Sequence, residues 1–330
     1  FPYVEGSPSH VLELTTSASV DDAFSAELDG ARVCQDRDIN DVELLVTRAL
    51  NRQVLDGEPD WLHLHAGAVT NGEHTVLVIG ESMAGKSTLV AKLVAEGWHY
   101  LTDESIGVRE TGELIGYPRP ITLRRSSWEF FDGVTPDDLS PQAARIEVCA
   151  SKLGRVYQGP AVTPAIVIRP DISAEQHVVE PLTAAQTTEL LVADSLDLER
   201  AGSAGTNAIV AVAERAPSFR IAGRDLDVTY RAVEALCETA EAPGVIIDSE
   251  HATANASDRR ASSSTAWLFP DRSAAIHDHA SGVHALVDYD GFYAWRSLGH
   301  HDSLWPPQAA TSPFVQQLVE SKLLGPGGLA

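Results

Sequence analysis

The chain has 330 residues and a hydrophobic fraction of 44%, enough for a sizeable core without a metal or disulfide staple. Its 47 acidic and 24 basic residues give a formal charge of −23, which argues against nucleic-acid and anionic-membrane partners, since both need basic surface. Three scattered cysteines, Cys34, Cys149 and Cys237, form no CxxC pair, no apolar run approaches a membrane span and no signal segment opens the chain, so the expectation is a reduced cytoplasmic protein.

In chain order, residues 9–33 read as short strands, and 38–55 as a helix with Asp41 as cap and Val42, Leu44, Leu45, Ala49, Leu50 and Val54 at helical spacing. Residues 61–69 are an apolar run carrying His63 and His65. Asn71-Gly72 then marks a hairpin that returns through the buried strand 74–79 directly to Gly80. A helix at 87–96 stops at Gly97, and a short strand, 98–102, ends at Asp103-Glu104. Segments 106–109 and 113–117 form a second hairpin around Thr111-Gly112, followed by a proline-rich turn at 117–120 and strands at 121–125 and 164–168. Helices are expected at 183–194, 208–216 and 225–240.

The small, polar stretch 248–266 reads as a linker. Beyond it, 267–270, 274–277, 283–288 and 292–297 read as strands of a small sheet, and 313–324 as a closing helix. The organisation expected is an N-terminal β/α segment (1–58), a core (59–248), a linker (249–265) and a small α+β C-terminal module (266–330).

The chemistry lies in Gly80-Glu81-Ser82-Met83-Ala84-Gly85-Lys86-Ser87, which matches G-x-x-x-x-G-K-[ST]. The glycines allow a tight turn whose amides converge on phosphate oxygens, and the following helix adds its positive end. Lys86 reaches the β- and γ-phosphates, Ser87 offers a hydroxyl to Mg²⁺, and Thr88 follows in the first helical turn. Asp103 and Glu104 end the strand that follows the helix. One of them can hold the metal, directly or through water, and the other can orient or deprotonate an attacking hydroxyl.

His65 reads either as a group facing the phosphates or as a satisfied core residue; His63 shares its face by period two. Arg119, held between Pro118 and Pro120, is the first choice for stabilising a transferred phosphoryl group, ahead of Arg124 and Arg125 and then of Lys152, Arg155 and Arg169. The late histidines His277, His279, His284, His300 and His301 show no ligand spacing, and strand alternation is expected to scatter them over a polar surface. Trp267, Phe292, Tyr293 and Trp295 read as a small core.

The run LHLHAGAV, the hairpin, and HTVLVIGESMAGKSTLVAKLVAEGWHYLTDESIGV resemble the catalytic core of HPr kinase/phosphorylase and its relatives, among them kinases of peptide-maturation clusters and free-serine kinases. A histidine-bearing strand paired with the strand before the loop, the loop itself and an acidic pair soon after the first helix carry the resemblance, which spans about residues 60–240. It implies the mixed-sheet α/β kinase core shared with the phosphoenolpyruvate carboxykinase type. It also implies that Gly80, Ser82, Gly85, Lys86 and Ser87 bind ATP and Mg²⁺, that Asp103 and Glu104 stand for the family's aspartate pair, and that His65 stands for its histidine. Glu104 replaces the second aspartate, and the glycine-rich segment around an arginine has no counterpart in 121–155, which argues against HPr as acceptor and against a reverse phosphorylase reaction.

The function expected is transfer of the γ-phosphoryl group of ATP to a hydroxyl, a serine in a peptide, a protein or free, with Asp103 or Glu104 as base. The rival is a regulatory nucleotide-binding protein, or slow NTPase, with a C-terminal partner-binding module. The sequence leaves ATP against GTP and homo-oligomerisation open.

Overall fold

A computed structural model describes residues 12–16, 24–28, 30–36, 46, 61–134, 144–252 and 263–297. The chain divides into two compact units, Phe1–Pro59 and Asp60–Ala330. In the first, β1 (Leu12–Thr16), β2 (Phe24–Leu28) and β3 (Ala31–Asp36) form an antiparallel meander. Of the helix expected at 38–55 only Val46 is described, and it is helical; the helix expected at 313–324 lies outside the described residues, as do His300 and His301.

The apolar run 61–69 is two strands and not one. β4 (Leu62–Leu64) joins a small sheet, while β5 (Gly67–Thr70) forms the hairpin with β6 (Thr75–Val78). The turn is held by Asn71, whose side-chain oxygen accepts from the amides of Glu73 (2.9 Å) and His74 (2.7 Å). Next come α1 (Lys86–Ala95), β7 (His99–Thr102), β8 (Ile106–Val108) and β9 (Leu114–Gly116). β10 (Ile121–Arg124), β11 (Arg145–Val148), the two-residue β12 (Arg155–Val156), β13 (Ile166–Asp171) and β14 (Val178–Leu182) follow. The helices α2 (Ala184–Ala193) and α3 (Leu198–Arg215) lead to β15 (Ser218–Ala222) and α4 (Leu226–Thr239). The helix expected at 208–216 thus starts ten residues earlier, with a break at Gly202 (φ 54°, ψ −133°), a conformation open to glycine.

The main sheet has the order β12-β7-β5-β6-β13-β15-β14 and is mixed. β6, β13 and β15 run parallel, as do β7 and β12, whereas β5 and β14 are antiparallel to their neighbours. β6, which feeds Gly80, is its central strand and is wholly buried. Apolar layers cover both faces, as the continuous hydrophobic run of β6 requires. One contains Val76, Val78, Leu89, Leu93 and Val233; the other contains Leu77, Ile79, Val167, Leu191 and Val212.

The second sheet is antiparallel: β16 (Asp248–His251), β17 (Ser264–Leu268), β18 (Ser273–Asp278) and β19 (His284–Asp288), followed by α5 (Tyr289–Ser297). This corrects two expectations. The stretch read as a linker opens with a strand paired to β17, and 292–297, read as a strand, is helical. Phe292 and Trp295 are three residues apart, and both are fully buried on one side of the helix. Burying each contributes about 2 kcal/mol or more.

Helix α2 joins the two sheets. Thr183 caps it in a reciprocal box with Gln186, worth ~1 kcal/mol, and the amides of Ala184 and Ala185 donate to Asp271 (2.9 Å) and Ser273 (3.2 Å) of the β17–β18 turn. Ala184, Ala185, Val210, Ala213, Trp267, Phe269 and Ala275 pack between them.

The described late histidines, His277, His279 and His284, are not scattered. The His277 ring lies 5.1 Å from His279 and 5.8 Å from His284, and His251 is 6.1 Å from His279. The register of β18 and β19, which sets His277 opposite His284, brings those two rings together. Burial, reinforced by the neighbouring imidazoles, pushes His277 down to about 4 and His284 to about 3. Among the described residues no three His, Cys, Asp or Glu are arranged to hold a metal. The cluster sets an acid limit on stability. A histidine with a lowered folded pKa takes up its proton only in the unfolded chain between pH 6.5 and about 4, so stability falls as pH falls through that window. Thermal unfolding followed at pH 7, 6, 5 and 4.5 is expected to show that slope, and a His277→Gln, His284→Gln chain is expected to lose most of it. An unchanged slope would assign the acid sensitivity elsewhere.

Candidate functional site

β6 delivers the chain to the middle of the sheet edge, and two glycines then make the loop. Gly80 (φ 124°) and Gly85 (φ 103°) adopt conformations that L side chains rarely take, and a Cβ on Gly85 would press to 3.0 Å from Ile172 Cγ2. Met83 is also in the left-handed region (φ 73°) and stands exposed at the tip. Among the described residues, the amides of Ser82, Met83 and Gly85 have no protein acceptor, while that of Ala84 closes a turn on Glu81 (3.2 Å). No side chain caps α1 and no acidic residue lies in its first turn. The loop therefore offers free donors at a positive helix end, the arrangement that suits an anion.

Lys86 is buried, and its ammonium donates to the carbonyl oxygens of Gly80 and, at 3.4 Å, of Glu81. Burial lowers its pKa, opposed by the carboxylates of Asp194, Glu104 and Asp103, so these three acids surround one cation. The Ser87 hydroxyl acts on Asp103, holding its carboxyl down against burial. The Thr88 hydroxyl is committed to Ser127 Oγ at 2.7 Å and so belongs to the packing of α1. Glu81 and Ser82 are exposed on the loop, and Ala84 is partly covered.

Asp103 is 3% exposed at the end of β7. Its Oδ1 accepts from Tyr100 Oη (2.9 Å) and its Oδ2 from the Thr122 amide (3.3 Å). Burial pushes it up to about 6, against the pull of the Tyr100 and Ser87 hydroxyls and the Arg119 charge. The carboxylate of Glu104 is more exposed and pairs with Arg119 Nη1 at 3.3 Å. Arg119 is positioned by its own carbonyl, 2.9 Å from Tyr100 Oη, and its buried Nε has no hydrogen-bond partner among the described residues. Gly67 permits this crowding: a Cβ there would come within 2.6 Å of Val90 Cγ2 and 3.6 Å of the Asp103 Cα.

His65 does not end the hairpin strand. It occupies the break between β4 and β5, its amide donating to the Asp194 carbonyl at 2.7 Å. Its pKa is lowered by burial and by Lys86, against the charges of Glu104 and Asp194, which leaves a neutral imidazole in the same electrostatic neighbourhood as the loop. His63 stands apart, fully buried and tied to Asp197 (2.9 Å) and Tyr117 (3.4 Å). Arg124 and Arg125 are exposed, and Arg125 stacks on Trp128 (5.5 Å).

Sequence reasoning missed Asp194. It follows the last turn of α2, and its Oδ2 accepts the Gly80 amide at 2.6 Å, so it fixes the first residue of the loop while its charge acts on Lys86 and His65. Ser87, Asp103, Glu104, Lys86 and Arg119, read from separate segments, are thus brought together, with His65 beside them. The residues present suit a polyphosphate with a divalent cation: free amides and an ammonium for the phosphates, and an adjoining hydroxyl and carboxylate for the metal.

The fold is α/β with a mixed sheet. No protein-family model matches the chain, and no curated protein matches it. Among solved structures, the HPr(Ser) kinase/phosphatase from Coxiella burnetii matches with 14% identity over 53% of this chain and 93% of that chain, with a TM-score of 0.25. No helix among the described residues is long and apolar enough to cross a membrane.

Proposed function

We propose that this protein is an ATP- and Mg²⁺-dependent kinase of the HPr-kinase-like type that transfers the γ-phosphoryl group to a hydroxyl, a serine in a peptide, in a protein or free. The observation that carries the reading is the buried Asp103 carboxylate at the end of β7, which with Glu104 faces the loop lysine Lys86, and the Glu104–Arg119 pair beside it. The loop amides and Lys86 hold the β- and γ-phosphates. Ser87 and Asp103 hold the Mg²⁺, which when bound neutralises phosphate charge. The more exposed Glu104 faces the incoming hydroxyl and takes its proton, and Arg119 keeps that carboxylate oriented and lends positive charge to the phosphoryl oxygens. His65, neutral and close to the same charges, completes the lining.

The acidic surface suits a neutral or basic acceptor and disfavours nucleic acid and anionic membranes. The direct test is calorimetric titration of MgATP into the purified chain, followed by mass spectrometry of free serine and of serine-containing peptides incubated with both. Heat of binding followed by a mass gain of one phosphoryl group on a hydroxyl is expected. Binding with no acceptor phosphorylated would favour the regulatory reading, and no heat would end both.

A further inference from the structure

We propose that Arg169 is the residue that reads the terminal phosphate of the bound nucleotide, an inference that rests on the nucleotide reading of the loop. β13 runs parallel to β6, with Ile168 level with Val78, and the Ile79 amide donates to the Ile168 carbonyl at 2.9 Å. Arg169 is therefore the residue at which β13 draws level with the loop. Its stem lies against the loop itself: a Cβ on Gly80 would sit 3.4 Å from Arg169 Cγ.

The charge around Arg169 is unusual for this chain. Acids outnumber bases 47 to 24, yet the half-buried Arg169 forms no side-chain hydrogen bond or ion pair among the described residues. Its cross-strand neighbour on β15 is another cation, Arg220. Arg220 binds Asp171 (2.7 Å) and Glu180 (2.6 Å), and the other oxygen of Asp171 takes Ser173. The carboxylate on Arg169's own face, two residues along the strand, is thus engaged elsewhere. Asp194, at the start of the loop, accepts from the Gly80 amide. Arg119, the first choice from sequence, is paired with Glu104. A partly desolvated guanidinium without a carboxylate, flanked by a like charge and lying on a loop of free amides, calls for an anion, and its planar fork suits phosphate oxygens.

The test compares ATP with ADP. Calorimetry in excess Mg²⁺ on the unmodified chain, Arg169→Ala, Arg169→Gln and Arg169→Lys is expected to show ATP affinity reduced about tenfold or more by Ala and Gln, the loss of a charge-assisted hydrogen bond. ADP affinity is expected to stay within about twofold, and Lys to recover part of the ATP affinity. The Gln variant keeps the stem against Gly80, so it separates lost charge from lost packing. Equal losses for ATP and ADP, or no loss for either, overturn the proposal. No nucleotide binding by the unmodified chain overturns the loop reading and the proposal with it.

Discussion

Replacing Lys86 by alanine is expected to reduce phosphoryl transfer by about a thousandfold or more and to weaken MgATP binding, while the chain stays folded. The ammonium is buried against the Gly80 and Glu81 carbonyls with three carboxylates around it, which holds a fixed positive charge at the loop. The negative charge that builds on the phosphoryl oxygens loses its fixed counter-charge when the side chain goes, and solvent is a poor replacement inside a loop shaped for it. Folding is spared because burial already opposes the charged form of this lysine. Transfer assays with radiolabelled ATP and calorimetry on the same preparation check both parts. Wild-type turnover in Lys86→Ala would end the kinase reading.

Asp103→Asn is expected to separate binding from turnover. The single amide oxygen can still accept from one of Tyr100 and Thr122, so nucleotide affinity should change only a few-fold, whereas turnover should fall by about 10²–10⁴ because the metal loses its carboxylate. The same substitution is expected to stabilise the empty protein near neutral pH. A carboxylate whose folded pKa is raised to about 6 resists the charge it must carry above that pH, at a cost of about 2–3 kcal/mol that disappears once the acid is protonated in both states, below about pH 4. The thermal midpoint of Asp103→Asn should therefore exceed that of the parent at pH 7.5, and the gap should close toward pH 4. Mg²⁺ affinity of the parent should likewise fall as pH drops below about 6. A variant that is both less stable at pH 7.5 and fully active would show that Asp103 is only a packing residue.

The parts of the site that sequence makes legible are those encoded by contiguous residues. A buried strand, eight loop residues and a helix start lie in one run, and Asp103-Glu104 lies one helix and one strand further on, so local periodicity places all of them. Asp194 has no such signal. It reaches the Gly80 amide across 114 positions because α2 carries it there, and an aspartate at the end of a helix looks like any other. The burial of β6 was legible from its unbroken apolar character, whereas the strand order was not, since pairing across distant segments leaves no periodic mark. The 292–297 segment shows the opposite failure. Its aromatic residues favour a strand by propensity, but the sheet they cover needs one buried side, and a helix buries Phe292 and Trp295 together. The histidine cluster was misjudged because alternation along one strand says nothing of which residues a neighbouring strand sets opposite.

Helix α2 acts as a strut. Its first amides rest on Asp271 and Ser273, and the residue beyond its far end grips the opening glycine of the loop. Cutting away the second sheet would strip hydrogen bonds from one end of this strut and bare Ala184, Ala185, Val210 and Ala213 to water. A shortened chain that no longer retains nucleotide would then be reporting a lost foundation, and partner recognition is better sought by point changes on that sheet's outer surface than by truncation.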